Sequence, residues 1–74
     1  MSKLSVVSGK EVIKALQKIG YYETRQKGSH IRLNCLDKRP ITVPNHKVIS
    51  RGLLKKIIRD AEISVDEFLK IISK

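Results

Sequence analysis

Apolar residues recur at helical spacing after a cluster of polar residues near the start of the chain. Ser8 and Glu11 have the spacing of a capping box, and apolar side chains follow at positions 12, 13, 16 and 19. Gly20 stands where a left-handed residue commonly ends a helix. The pattern therefore predicts a first helix over residues 9–19.

Two more helical segments lie toward the C-terminus. Ser50 is a candidate N-cap for the second, whose apolar stripe consists of Leu53, Leu54, Ile57, Ile58 and Ala61. Ser64 and Glu67 form a second capping box and start a short third helix. The apolar residues of that helix, which are Phe68, Leu69, Ile71 and Ile72, would cover one end of the core.

The segment between the first two helices has the alternation typical of strands. Residues 21–26 are rich in aromatic and β-branched side chains and predict one strand, with a turn at Lys27-Gly28. Residues 29–35 alternate, with an apolar face (Ile31, Leu33, Cys35) and a polar face (His30, Arg32, Asn34). A turn over residues 37–40 and a short third strand at Ile41 and Val43, ended by Pro44, complete the set.

This element order predicts the fold class. The chain should be α+β, in the order α-β-β-β-α with a short C-terminal helix, and residues 1–74 should form a single domain. The simplest packing is a three-stranded antiparallel sheet with helices on one face, which is the arrangement of the double-stranded-RNA-binding domain. The fold alone does not assign a function.

Length and cysteine content narrow the chemistry. A 74-residue chain has room for one thin core, so any active site should be an open surface and no cofactor is expected. Cys35 is the only cysteine, so there is no internal disulfide, and no Cys/His cluster has zinc-site spacing. With no segment resembling a signal peptide or membrane span, the expected location is the cytoplasm.

The positive charge is concentrated in the middle of the chain. The net charge is +9, and residues 24–59 contain ten Lys and Arg against one acidic residue, Asp37. A solvated surface would intersperse both signs, whereas a field of one sign attracts polyanions. The distribution favours a nucleic-acid partner, most of all RNA.

His30 is the first candidate for chemistry. Histidine accepts and returns protons near neutral pH, and His30 follows Gly28-Ser29 on the polar face of the second strand. Lys27 and Arg32 flank it and could stabilise a phosphate in its transition state, with the RNA 2′-OH as nucleophile. From spacing alone, the favoured alternative is that His30 is an exposed residue with no catalytic or binding function.

The other candidate residues each allow more than one role. His46 could be a second proton-transfer group or could fix its loop through hydrogen bonds, and the latter is favoured. Arg51, Lys55 and Arg59 recur every four residues and could track a phosphate backbone. Cys35 is expected to be a small core residue. Tyr21 and Tyr22 could stack a base, although one of them is expected to pack under the first helix.

Three short motifs together resemble the HicA (YcfA-like) toxin family. They are Gly28-Ser29-His30, the segment 41–46 (ITVPNH) and the segment 52–58 (GLLKKII), and the similarity extends from about residue 8 to residue 72. Two positions depart from the family pattern. Leu53 replaces a threonine, and Glu62 replaces a glycine after the second helix, so that turn is expected to close differently.

The resemblance implies a function for matching positions. His30 corresponds to the family's catalytic histidine, Gly28 and Ser29 to the residues before it, and His46 to a second histidine. The implied activity is that of an mRNA interferase, a metal-independent endoribonuclease that arrests translation, and the implied partner is a HicB-type antitoxin. A non-catalytic RNA-binding module is the main alternative. A DNA-binding regulator and a membrane-surface protein rank lower.

Overall fold

The computed structural model describes residues 6–73 and confirms the predicted element order. Helix α1 spans Gly9–Lys18, and the strands β1, β2 and β3 span Tyr22–Lys27, His30–Cys35 and Lys38–Pro44. Helices α2 and α3 span Arg51–Asp60 and Val65–Ile72. The strands form one antiparallel sheet in the order β1-β2-β3, so the histidine-bearing strand is central.

One hydrophobic cluster joins the helices to one face of the sheet. Ile31 and Leu33 of β2 are buried together with Ile41 and Val43 of β3, while the residues between them are exposed. The helices contribute buried side chains that include Val12, Leu16, Leu54, Ile57 and Phe68. The opposite face of the sheet, here called the open face, therefore carries the polar side chains of β2 and is not covered by any helix among the described residues.

The helix starts follow the sequence prediction. Both capping boxes form: the Ser8 and Ser64 hydroxyls each accept a backbone N–H at the third helical position, and Glu11 and Glu67 accept in return. Ser50 accepts from the Leu53 N–H and caps α2. Each helix start is thus specified by residues within four positions of one another.

The end of α2 differs from expectation. Gly20 ends α1 in the left-handed region (φ 107°), as predicted. Glu62 also adopts a left-handed φ of 60°, and its N–H donates to the Arg59 carbonyl while the Ile63 N–H donates to the Ile58 carbonyl. These are the two bonds of the Schellman motif. The expectation that the glycine-free turn closes differently is therefore wrong: the usual geometry is kept at a conformational cost borne by Glu62.

The two hairpin turns lie slightly away from their predicted positions. The first is formed by Gly28 and Ser29, one residue later than expected. The second is formed by Leu36 and Asp37, so the prediction of a turn over residues 37–40 is wrong and β3 begins at Lys38. β3 is an edge strand, where charged residues and a proline are tolerated because one side of the backbone needs no partner.

Candidate functional site

The β1–β2 hairpin places His30 at the first position of the central strand. Gly28 has a φ of +60° and Ser29 does not have a positive φ, which is the pattern of a type II′ two-residue turn. The Gln26 side-chain amide donates to the Gly28 carbonyl (3.2 Å) and supports the turn. Because the loop is this short, Lys27 pairs directly with His30.

His30 belongs to a row of side chains that crosses the open face. Residues paired across antiparallel strands share a face, and His30 pairs with Lys27 on one side and Pro44 on the other. Lys27 and His30 are both exposed, and neither side chain has a hydrogen-bond or ion-pair partner within residues 6–73. The structure thus brings the predicted acid/base residue and one predicted phosphate-binding lysine together.

Arg32 lies in the next row, not beside His30. It is two residues farther along β2, where it pairs with Arg25 of β1 and Thr42 of β3. The distance between the two rows is about 6.6 Å from the rise of a strand. Arg32 is exposed and on the predicted face, but its immediate neighbours are a second arginine and a threonine.

Arg25 was not singled out from the sequence. Simple alternation from Tyr22, which pairs with Asn34 on the open face, would put Arg25 on the helix side of the sheet. A β-bulge between Glu23 and Arg25 shifts the phase and moves Arg25 and Lys27 to the open face. Neither of these two rows contains an acidic residue, and neither does the Tyr22–Asn34 pair on the same face. A bulge in a strand of exposed polar residues leaves little trace in the sequence pattern.

The loop after β3 joins the same end of the sheet. The Asn45 N–H donates to the Ser29 carbonyl (2.6 Å), and the Gly9 N–H donates to the His46 carbonyl (2.8 Å). The His46 Nε2 lies 3.4 Å from the Ser29 Oγ. Backbone bonds therefore fix this loop between the hairpin and the start of α1, and they hold His46 against the residue that precedes His30.

The predicted stripe on α2 leads away from this end. Arg51, Lys55 and Arg59 are all exposed. Arg59 lines a groove with Arg39, which lies about 17 Å along β3 from Pro44, the strand residue paired with His30. The stripe is about 12 Å long from the rise of a helix. Only its Arg51 end starts near the loop that carries His46.

The cysteine and the two tyrosines divide into residues of the core and a residue exposed on the open face. Cys35 is partly buried against the core, as expected. Tyr21 is buried and its hydroxyl donates to the Arg39 carbonyl (2.9 Å), and burial is the largest of the causes that raise the pKa of Tyr21 to about 12. Tyr22 is 50% exposed on the open face, where a stacking surface is available. The burial of Tyr21 matches the expectation that one tyrosine of the pair packs in the core, and base stacking by Tyr22 stays a prediction.

Two further properties follow from the described residues. In residues 6–73 no group of three or more His, Cys, Asp or Glu side chains is arranged to hold a metal ion. Within the same range, no helix has the length and apolarity needed to cross a membrane.

The family and structural relationships of the chain agree with one another. The sequence profile described as the HicA toxin of bacterial toxin–antitoxin matches residues 9–63. Among solved structures, a chain of a toxin–antitoxin complex from Streptococcus pneumoniae is 33% identical, with a TM-score of 0.69 over 77% of this chain and 98% of that chain. No curated protein sequence matches. The profile covers well over half of the 74 residues, and the chain therefore belongs to the HicA toxin family of bacterial toxin–antitoxin systems.

Proposed function

We propose that this toxin is a metal-independent endoribonuclease that cleaves mRNA and arrests translation. The observation that carries the proposal is the row of Lys27 and His30 on an open sheet face, to which residues 6–73 contribute no carboxylate. His30 can transfer a proton and Lys27 can offset the charge on the phosphate, and these are two contributions that speed attack by a 2′-OH on a phosphodiester. None of the described helices or strands covers this face, so a long polymer can reach it.

The chemistry uses the RNA 2′-OH as the nucleophile. His30 takes the proton from the 2′-OH while the 2′ oxygen forms a bond to the adjacent phosphorus. The bond from phosphorus to the 5′ oxygen of the next nucleotide breaks, and that oxygen receives the proton that His30 had taken up, so the imidazole returns to its starting state. The products are a 2′,3′-cyclic phosphate and a 5′-OH end. Lys27 stabilises the charge that develops on the phosphate oxygens.

His46 is the candidate for a supporting role in this reaction. Its contact with Ser29 positions the residue next to His30, and its backbone carbonyl anchors the start of α1 through Gly9. We favour a structural role for His46, because its loop is held by two backbone hydrogen bonds: the Asn45 N–H donates to the Ser29 carbonyl, and the His46 carbonyl accepts from the Gly9 N–H. Arg51 and the rest of the α2 stripe would hold more distant phosphates of a long RNA.

The antitoxin partner would cover the same face. A HicB-type antitoxin that blocks the enzyme should present carboxylates to Lys27 and the two arginines of the next row, because these cations have no acidic partner within residues 6–73. Complex formation should therefore weaken at high salt. If the purified complex cleaves RNA as fast as the free toxin, this part of the proposal is wrong.

The proposal is tested by incubating the purified protein with a single-stranded RNA in EDTA. The wild type should generate new ends that carry cyclic phosphates, and His30→Ala should generate none. Lys70→Gln, which removes an exposed cation on α3, is the matched control and should cleave normally. A 2′-deoxy nucleotide on the 5′ side of the mapped cut should abolish cleavage there.

The results of this experiment distinguish a ribonuclease from a non-catalytic RNA-binding module. Cleavage by His30→Ala at the wild-type rate would refute the assignment of His30. Salt-sensitive RNA binding without cleavage by any variant, together with growth inhibition that is indifferent to His30, would favour the non-catalytic RNA-binding module.

A further inference from the structure

Two arginines face each other across β1 and β2, and no acidic side chain within residues 6–73 neutralises them. Arg25 and Arg32 are directly paired, both are exposed, and neither side chain has a hydrogen-bond or ion-pair partner within residues 6–73. Like charges at directly opposed positions of a sheet destabilise it. Thr42 completes the row on β3 and adds a hydroxyl. The row is therefore unfavourable for the free protein unless an anion binds there.

The fold departs from regular pairing to build this row. The β-bulge around Thr24 turns Arg25 to the open face, and the Thr24 hydroxyl donates to the Arg32 carbonyl (3.4 Å). With unbroken pairing Arg25 would share the helix side with Glu23, which lines a groove there with Lys10 and Lys14. Bulges that aim a side chain in this way occur frequently next to functional sites.

We infer that Arg25, Arg32 and Thr42 form a second phosphate subsite, which binds the RNA phosphate adjacent to the one cleaved at His30. The inference rests on the proposed function. Guanidinium groups bind phosphate oxygens in a bidentate manner. A site made of two guanidinium groups and a hydroxyl therefore favours an anionic phosphodiester as its ligand over a metal cation or a neutral group. The neighbouring Lys27–His30 row then holds the scissile phosphate.

The spacing of the two rows supports a single RNA strand that runs along β2. Rows two residues apart on a strand are about 6.6 Å apart. Neighbouring phosphates of an RNA chain are joined through one ribose, which spans a comparable distance. The register therefore allows two consecutive phosphates to contact the two rows at once. A substrate with only the scissile phosphate, such as a dinucleoside monophosphate, should be cleaved poorly.

The test uses an oligoribonucleotide whose cut site has been mapped with the wild-type protein. Methylphosphonate, which is uncharged, replaces the phosphate on either side of the cut in two separate substrates. Arg25→Gln is compared with Lys14→Gln, an exposed cation on the helix side of the fold. On the unmodified RNA, Arg25→Gln should lower kcat/KM about tenfold, the effect of one charge-assisted hydrogen-bonded contact, and Lys14→Gln should not.

The modified substrates identify the phosphate. One of the two methylphosphonates should slow the wild type by a similar factor and should slow Arg25→Gln no further, because the contact is already lost. The melting temperature of Arg25→Gln should equal or exceed that of the wild type, since a repulsive pair is removed. Equal cleavage by Arg25→Gln and Lys14→Gln, or insensitivity of the wild type to both methylphosphonates, would overturn the inference.

A binding measurement separates this inference from the proposed function. In a protein that already carries His30→Ala, RNA affinity is measured at several salt concentrations. Adding Arg25→Gln should reduce the slope of log affinity against log salt concentration by about the amount that one phosphate contact contributes. If the wild type cleaves no RNA but this change is seen, the nuclease proposal fails, and the arginine row stands as an RNA-phosphate contact without a neighbouring site of cleavage. If Arg25→Gln weakens only the complex with the antitoxin and not RNA binding, the row belongs to a protein interface and the subsite is refuted.

Discussion

Replacement of Gly9 by alanine should destabilise the protein at the point where α1 meets the histidine-bearing loop. Gly9 is buried at the first position of α1. An added Cβ would lie 3.0 Å from the Asn45 Cα and 3.1 Å from the His46 nitrogen, and closer still to the Pro44 carbonyl oxygen. All three atoms belong to the backbone, so no side-chain rotation can relieve the overlap.

The size of the effect follows from these contacts. Overpacking of this kind costs about 1–3 kcal/mol. The backbone must separate, which weakens the 2.8 Å hydrogen bond from the Gly9 N–H to the His46 carbonyl and costs about 0.5–1.5 kcal/mol. The lower entropy of the unfolded alanine chain returns about 0.4–1 kcal/mol. The free energy of unfolding should therefore fall by about 2–3 kcal/mol.

Urea unfolding followed by circular dichroism measures this change, and Gly52→Ala is the matched control. Gly52 lies in the first turn of α2, is exposed, and a Cβ built on it meets nothing within 4 Å. Its replacement should be neutral or stabilising by up to about 1 kcal/mol. A Gly9→Ala protein as stable as Gly52→Ala would refute the packing argument. The displaced loop should also change the 3.4 Å contact between the His46 Nε2 and the Ser29 Oγ, so under the proposed function the rate of RNA cleavage by the folded protein should fall as well.

Three further substitutions probe stability alone. Tyr21→Phe removes the hydrogen bond to the Arg39 carbonyl and should cost about 1 kcal/mol at neutral pH. Because burial above all raises the pKa of Tyr21 from 10.0 to about 12, the unfolded phenol ionises first and the wild type loses stability as the pH rises from 10 to 12. Urea unfolding at stepped pH should show a shallower loss in Tyr21→Phe, and identical slopes would contradict the assignment. Glu62→Gly should stabilise by about 0.5–1 kcal/mol because glycine adopts the φ of 60° without strain, as a rise in Tm would show; an equal rise in Glu62→Ala would point to charge as the cause. Ser8→Ala should cost about 1 kcal/mol through loss of the cap on Glu11, and an unchanged urea midpoint would exclude that role.

Most of the fold could be predicted from the sequence, because the patterns that specify its helices and strands involve residues close together along the chain. The capping boxes, the left-handed Gly20 and the strict alternation around Ile31 and Leu33 each involve residues within a few positions of one another, and the structure confirms them. The errors fall where the signal is weak or can be overridden. Glu62 adopts a φ that glycine favours, in a turn closed by the hydrogen bonds of Glu62 to Arg59 and of Ile63 to Ile58. Lys38 begins a strand because Cys35 of β2 supplies its pairing partner.

The candidate site divides in the same way. The type of its residues and the alternation of the central strand are properties of the sequence, so His30 and the polar face of β2 could be predicted without coordinates. Which residues face one another depends on cross-strand register, and register depends on hairpin length and on bulges. The bulge that aligns Arg25 with Arg32, and the backbone bonds that bring His46 to Ser29, join segments distant along the chain. Periodicity in one strand carries no information about such pairings, because they form only when the strands and the helix start pack together.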